Sequence, residues 1–398
     1  MSLISGVGKT EGEENMSDNL DSDPIKDSAD KTEIFVCMLK ACAKEKDLHR
    51  GNKIHSNIVR SGLLKKNTFL GNSLVNMYAK CGALRKAQLV FDELPVQDVV
   101  SWNVLITGYA HQRNNGAIPG LKSFQQMQLE GICPNAITFL GMLKAFSGMG
   151  ALLKGQQIHA QILPNQLHEK DAVIANALID MYAKCGRLMK AQELFDELLI
   201  LDLVSWNVLI TGYAQYDAEK ALSYFERMQM GSFSPDAVTF TCILKACASM
   251  GARKLFKGKT VHSQVVRYGL LEKDVVIGNS LIDMYAKCGE LRRAQEVFDK
   301  LRIRNVVSWN TMISGYIEVG FSEEALRCLQ EMQLEGVTQD QVTFFSGLKA
   351  AGDIGDLERG TSIHIHITRI GFDGDVTIGN MLVYMYAKCG FFLDAVEV

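Results

Sequence analysis

Proline is scarce in this chain, at 6 of 398 residues, and its ten cysteines form no CxxC pair. Alternating runs of β-branched residues are missing as well, so half-buried strands have no support in the pattern. No apolar run approaches the ~18 residues that a membrane span requires. Without paired cysteines, a chain of this size gives no sign of a disulfide framework and points to a reducing compartment. Neither sign of charge dominates, the formal net charge being −3. Residues 1–33 hold nine acids against three lysines, which leaves the remainder at +3. That is a weak attraction for phosphate.

What is plentiful is helix-forming: Ala, Leu, Met, Lys and Glu, in a chain that is 47% hydrophobic. The fold class read from this is all-α. One pattern organises the rest. Met77-Tyr-Ala-Lys-Cys-Gly82 is followed by Val99-Val-Ser-Trp-Asn103. The pair returns as Met181 to Gly186 with Leu203-Val-Ser-Trp-Asn207, and as Met284 to Gly289 with Val306-Val-Ser-Trp-Asn310. A fourth signature, Met385 to Gly390, stands near the end. These methionines are 104, 103 and 101 residues apart, too far for one helix–turn–helix unit of about 30 to 45 residues.

Turn signals cut each period into three unequal modules. The first type runs from Ile34 through Gly51-Asn-Lys-Ile-His55, with counterparts near Ala136, Ala237 and Gln341. The second holds the Met-Tyr-Ala-Lys-Cys-Gly signature. The third spans Val99 to Asn135, Leu203 to Asp236 and Val306 to Asp340. Each reads as two antiparallel helices. Leu70, Leu74, Met77 and Tyr78 give the stripe of a buried face, and Leu84, Ala87, Val90 and Phe91 give a second one. Gly82, Gly186, Gly289 and Gly390 close the first helix at the position where a left-handed residue costs least. Such a pair cannot bury both faces alone, so neighbouring pairs must complete the core as a solenoid. The four signature cysteines, Cys81, Cys185, Cys288 and Cys389, read as small packing residues. Residues 1–31, acidic and without hydrophobic period, read as a disordered tail. Gly6-Val-Gly-Lys-Thr10 within it is no phosphate-binding loop, because Leu3 stands where the first glycine belongs and no strand precedes it.

These modules closely resemble pentatricopeptide repeats of the plant PLS subclass, with the first, second and third types matching L, S and P. The resemblance covers residues 33–398 as eleven modules, the last truncated, and implies a right-handed superhelical solenoid. It implies single-stranded RNA as partner, read at one base per repeat, by the fifth and last residues of each repeat. In the S type those are Asn72 with Asp98, Asn176 with Asp202, and Asn279 with Asn305. In the P type they are Asn103 with Asn135, Asn207 with Asp236, and Asn310 with Asp340, while Asn380 is the fifth residue of the final module. A last-position Asp only accepts and suits the N3–H of uracil, whereas Asn can donate to the bare N3 of cytosine. The implied target contains 5′-UYNUUNYU-3′, with apolar second residues (Phe69, Val100, Val173, Val204, Val276, Val307) flanking the bases.

Plainer readings stand beside these. Trp102, Trp206 and Trp309 share one slot and read as core more readily than as base-stacking platforms. His55, His159, His262 and His364 recur one period apart, too scattered for a metal site, and read as packed with one ring nitrogen satisfied. The Asn and Asp of the reading slots are also common helix N-caps. Cytidine deaminase-like domains end many PLS proteins, but neither H-x-E nor P-C-x-x-C occurs, and no catalytic site, cofactor or metal is expected. The repeats depart from the pattern at three places. The P repeat 99–135 is long and carries Pro119, extra residues surround Arg253-Lys-Leu-Phe256, and Thr338-Gln339-Asp340 lacks the proline of Ser234-Pro235-Asp236. Stopping at Val398 inside a helix, the chain reads as partial. The expected role is recognition in an organellar RNA-editing or RNA-processing factor, with other editing-complex proteins as possible partners and no membrane. No transit peptide is visible in the acidic start. The rivals are a protein-binding helical scaffold and a fragment of a larger C-to-U editing enzyme.

Overall fold

The computed structural model describes residues 27–112, 117–165, 171–231, 233–372 and 374–397. Among them there is no strand, and eleven helical hairpins follow one another along the chain. The first helix begins at Asp27 and runs to Glu45, so residues 27–31, expected in the tail, are helical. The remainder of that tail, the Gly-Lys-Thr segment included, lies outside the described residues. No helix among the described residues is long and apolar enough to cross a membrane.

The chain divides into two compact units, residues 1–149 and 150–398. In the first, the A helices Asp27–Glu45, Thr68–Lys80, Val99–Ala110 and Ala136–Met149 pack successively side by side, and the first three also pack on their own B helices. In the second, the A helices Ala172–Lys184, Leu203–Tyr216, Ala237–Met250, Val275–Lys287, Val306–Val319, Gln341–Ile354 and Val376–Lys388 do the same. Leu70, Leu74, Met77 and Tyr78 are all buried, as are Leu84, Ala87, Val90 and Phe91. Burying each such stripe takes a neighbour, which is why no hairpin is an independent unit.

The signature residues prove to be the fittings between hairpins. The Met of Met-Tyr-Ala-Lys-Cys-Gly lies so close to a glycine of the preceding L-type B helix that a methyl there would meet its sulfur, at 2.5 Å for Gly51 and Met77 and 2.6 Å for Gly258 and Met284. The Tyr hydroxyl bonds the L-type histidine: His55 Nδ1 to Tyr78 at 2.8 Å, His159 to Tyr182 at 2.9 Å, His262 to Tyr285 at 2.8 Å and His364 to Tyr386 at 2.9 Å. Burial pushes the imidazoles of His55 and His262 below their ordinary range, against the Glu93 carboxylate at His55 and with Lys300 and Arg293 adding to the effect at His262. The Ala sits against a glycine of the following P-type A helix. The final glycines adopt φ of 77°, 73°, 81° and 86° at residues 82, 186, 289 and 390, a region that L side chains avoid. All ten cysteines are free thiols. The tryptophans lie in the core, Trp102, Trp206 and Trp309 standing edge-on to Phe91, Phe195 and Phe298 at centroid distances of 4.6, 4.9 and 4.7 Å.

The irregular repeats are absorbed locally. Pro119 is the third residue of the helix Ala117–Leu129, where no intrahelical donor is lost. The extra residues near 253 form a 3₁₀ turn, Gly251–Lys254, ahead of the helix Leu255–Arg267.

Candidate nucleic-acid interface

The last residue of each S- and P-type repeat is the N-cap of the next A helix. Asp98, Asp202 and Asn305 accept the backbone N–H of Ser101, Ser205 and Ser308. Asn135, Asp236 and Asp340 accept that of Thr138, Thr239 and Thr343. A cap has extended backbone and projects its side chain along the helix start. That places it beside the fifth residue of its own repeat, one A helix earlier.

Three of the fifth-position asparagines reach their repeat's last residue firmly. Asn103 Nδ2 donates to Asn135 Oδ1 at 3.0 Å, Asn207 Nδ2 to both Asp236 oxygens at 3.1 and 3.2 Å, and Asn310 Nδ2 to Asp340 Oδ1 at 2.9 Å. In the S type only Asn176 makes such a bond, to Asp202 at a long 3.4 Å. Asn279 and Asn305 share a cavity wall without bonding, and no bond joins Asn72 to Asp98. Asn72, Asn103, Asn176, Asn279 and Asn310 are buried, none more than 9% exposed; Asn207 is half-buried and Asn380 exposed. None of the fifth-position asparagines is itself a cap.

The second-position residues behave oppositely. Phe69, Val100, Val173, Val204, Val276 and Val307 are 51% to 61% exposed. The L-type residues in that slot, Ile137, Val238 and Val342, are as open. In the second unit a cavity of about 510 Å³ is lined by Val276, Asn279, Asn305, Val307, Asn310 and Asp340, among others. In the first a cavity of about 930 Å³ holds Val100, Asn103, Asn135 and Ile137, with Lys44, Lys46 and Lys80 at its wall. Apolar walls over a few convergent polar groups are the usual make-up of a binding cleft.

Three of the capping carboxylates, Asp202, Asp236 and Asp340, are held ionised. Burial opposes the charge on Asp236, but the N–H and hydroxyl of Thr239 and the amide of Asn207 outweigh it, and the pKa falls below the ordinary carboxyl range. Asp340 and Asp202 are lowered against the same opposition, by Thr343 with Asn310 and by Ser205 with Asn176. An ionised carboxylate can only accept.

One set of residues escaped the sequence reading. Thr138, Thr239 and Thr343 turn their hydroxyls back to the Oδ1 of Asn103, Asn207 and Asn310, at 2.6, 2.5 and 2.7 Å. The signal was there in Asn135-Ala-Ile-Thr138, Asp236-Ala-Val-Thr239 and Asp340-Gln-Val-Thr343, a hydroxyl three residues after a cap. Among the described residues no cluster of His, Cys, Asp or Glu could hold a metal ion.

Comparison with known proteins agrees with this architecture. Models described as PPR repeat match residues 72–99, 173–202 and 279–306. Those described as PPR repeat family and pentatricopeptide repeat domain match 201–249 with 304–350, and 96–149. A chloroplastic pentatricopeptide repeat-containing protein of Arabidopsis thaliana is 36% identical over 366 residues, covering 92% of this chain and 58% of that protein. A mitochondrial one from the same plant is 36% identical over 357 residues, covering 89% of this chain and 34% of the relative. The chain thus spans between a third and three-fifths of the length of these relatives. The crystal structure of the maize protein PPR10 superposes with a TM-score of 0.61 at 19% identity, over 94% of this chain and 59% of that one. PPR10 in complex with an 18-nt psaJ RNA element gives 0.65 at 17% identity, over 89% and 54%. Stacked helical hairpins, a signature recurring in phase and relatives of this similarity have one explanation: this chain belongs to the pentatricopeptide repeat family.

Proposed function

We propose that the chain is a non-catalytic reader of single-stranded RNA, of the PLS subclass, taking one base at each S- and P-type repeat. The observation that carries this reading is the pairing of fifth and last residues, 29 and 30 residues apart in sequence, as Asn207–Asp236 and Asn310–Asp340. An amide donor and an acceptor-only carboxylate, set side by side under exposed valines, present the complement of the uracil Watson–Crick edge. Capping and reading coexist on one carboxylate. The hydrogen bonds to Asp340 all fall on Oδ1, which leaves Oδ2 to accept from uracil N3–H. The RNA complex of PPR10 supports RNA as partner for the shared fold. With the N-terminus toward the RNA 5′ end, as is usual for the family, the target contains 5′-UYNUUNYU-3′. Relatives named chloroplastic and mitochondrial favour an organellar site of action, in RNA editing or processing.

The test is Asp236→Asn, which exchanges an acceptor for a possible donor while keeping a cap, as Asn305 already does in the same role. Binding of both proteins is measured, at fixed salt, to two oligonucleotides differing only in U or C at the fifth base of the target. Preference there should move from U toward C by about 1 kcal/mol, the scale of one hydrogen bond. Equal loss of affinity for both RNAs would make Asp236 a cap and nothing more.

A further inference from the structure

The asparagines of the two repeat types differ in a way that the fifth and last residues do not account for. After a P-type repeat, the hydroxyl of Thr239 accepts the N–H of Asp236 at 3.2 Å and lies 2.5 Å from Asn207 Oδ1. It has a single proton to give. That proton lies between two acceptors, Asn207 Oδ1 at 2.5 Å and Asp236 Oδ1 at 2.9 Å, and the shorter contact to Asn207 holds the larger share of it. The result is a closed ring of three residues in which the Asn is held at both ends. Only its second N–H remains to be offered to a base. Thr138 with Asn103 and Thr343 with Asn310 repeat the arrangement.

After an S-type repeat the third residue is Ser. The hydroxyls of Ser101, Ser205 and Ser308 turn to the caps Asp98, Asp202 and Asn305, at 2.9, 2.7 and 3.1 Å. The Oδ1 atoms of Asn72, Asn176 and Asn279 are buried with no partner at all. The long bond to Asp202 is all that orients Asn176, and no hydrogen bond orients Asn72 or Asn279.

We propose that the third residue of each A helix that follows an S- or P-type repeat is a positioning residue for the asparagine before it: Thr locks the P-type Asn as a donor, and Ser leaves the S-type Asn oxygen without a partner, so that this Asn yields more readily to a mismatched base. The inference rests on the RNA-reading function proposed above and adds a third residue to each reading pair. P-type positions then discriminate between bases more strictly than S-type positions with the same Asn–Asp pair. The chain contains that comparison in adjacent repeats, Asn176–Asp202 before Ser205 and Asn207–Asp236 before Thr239.

The experiment uses the full 398-residue chain and RNA oligonucleotides with U or C at the fourth base, read by Asn176, or at the fifth, read by Asn207. Thr239→Ser should reduce U-over-C discrimination at the fifth base by about five-fold, the worth of one hydrogen bond, and leave the fourth base alone. Ser205→Thr should sharpen discrimination at the fourth base by a similar factor and leave the fifth alone. Both keep a hydroxyl at the cap, and a thermal melt of each variant reports the merely structural effect, which cannot choose one base over another. Asn207→Ala separates the two levels of the argument. If it abolishes discrimination at the fifth base while Thr239→Ser and Ser205→Thr change neither ratio, the positioning role is refuted and RNA reading stands. If Asn207→Ala also leaves the ratio unchanged, the reading function and this inference fall together.

Discussion

Gly212→Ala tests the spacing of the A helices on which everything above depends. Gly212 lies in the helix Leu203–Tyr216, against Ala183 of the helix Ala172–Lys184. A methyl added to it would stand 2.6 Å from the Ala183 Cβ, about 1 Å inside the best separation of two carbons. Ala183 is buried and has no rotamer to change, so the clash is relieved only by moving a helix. In a free helix, alanine for glycine stabilises by about 1 kcal/mol. Overpacking a rigid contact costs about 1 to 3 kcal/mol, and here the upper end applies. We expect a net loss of about 1 to 2 kcal/mol, read from urea unfolding. Ala183→Gly in the same chain removes the opposing methyl, so the double variant should recover most of that loss as coupling between the two sites. The contact recurs at Gly108 with Ala79 and Gly315 with Ala286, each at 2.7 Å, and the same result is expected there. A rise in the unfolding midpoint of Gly212→Ala, without coupling to Ala183→Gly, would refute the close-approach argument. Because these two helices carry Asn176 and Asn207, Gly212→Ala should also weaken binding to RNA that spans the fourth and fifth bases.

Three further outcomes follow from single sites. Gln339 occupies the slot of Pro235, and both its amide atoms are buried without a partner; Gln339→Pro should stabilise by about 1 to 2 kcal/mol in urea unfolding, through removal of the unsatisfied amide and a stiffer unfolded chain. Among the described residues Lys46 is the non-glycine residue with positive φ, at 57°, where Gly150 and Gly355 stand in later L repeats; Lys46→Gly should raise the midpoint by about 1 kcal/mol equivalent. Stability should fall with acidity in two stages. His55 and His262 have folded pKa values below 6.5, so the unfolded chain binds protons first and their contribution, full above 6.5, is lost as pH falls through the lowered values. Asp202, Asp236 and Asp340 act likewise below 3.8, and Asp236→Asn should shrink only this second stage. Unfolding midpoints across the two ranges check both signs.

Much of this molecule was legible in the sequence, because its information is local and repeated. Leu70, Leu74, Met77 and Tyr78 declare a helical face by spacing alone, and Gly82 with its three counterparts marks the helix end by backbone chemistry. Recurrence in phase then dictates stacking, since a hairpin with two apolar faces has no other way to bury them. The cap role of Asp236 was visible as one possibility among two. What the tertiary structure decided lies in contacts between hairpins. That Asn207 donates to Asp236 and accepts from Thr239 depends on how closely two A helices approach, and no periodicity encodes that distance. The difference between Thr239 and Ser205 looks conservative along the chain, yet both hydroxyls lie at their own caps and only that of Thr239 also reaches the preceding helix. The partners of the L-type histidines were equally hidden, 22 to 23 residues away at the signature tyrosines. Local pattern specifies which elements form, whereas the direction of a buried hydrogen bond is settled only when neighbouring repeats close on one another.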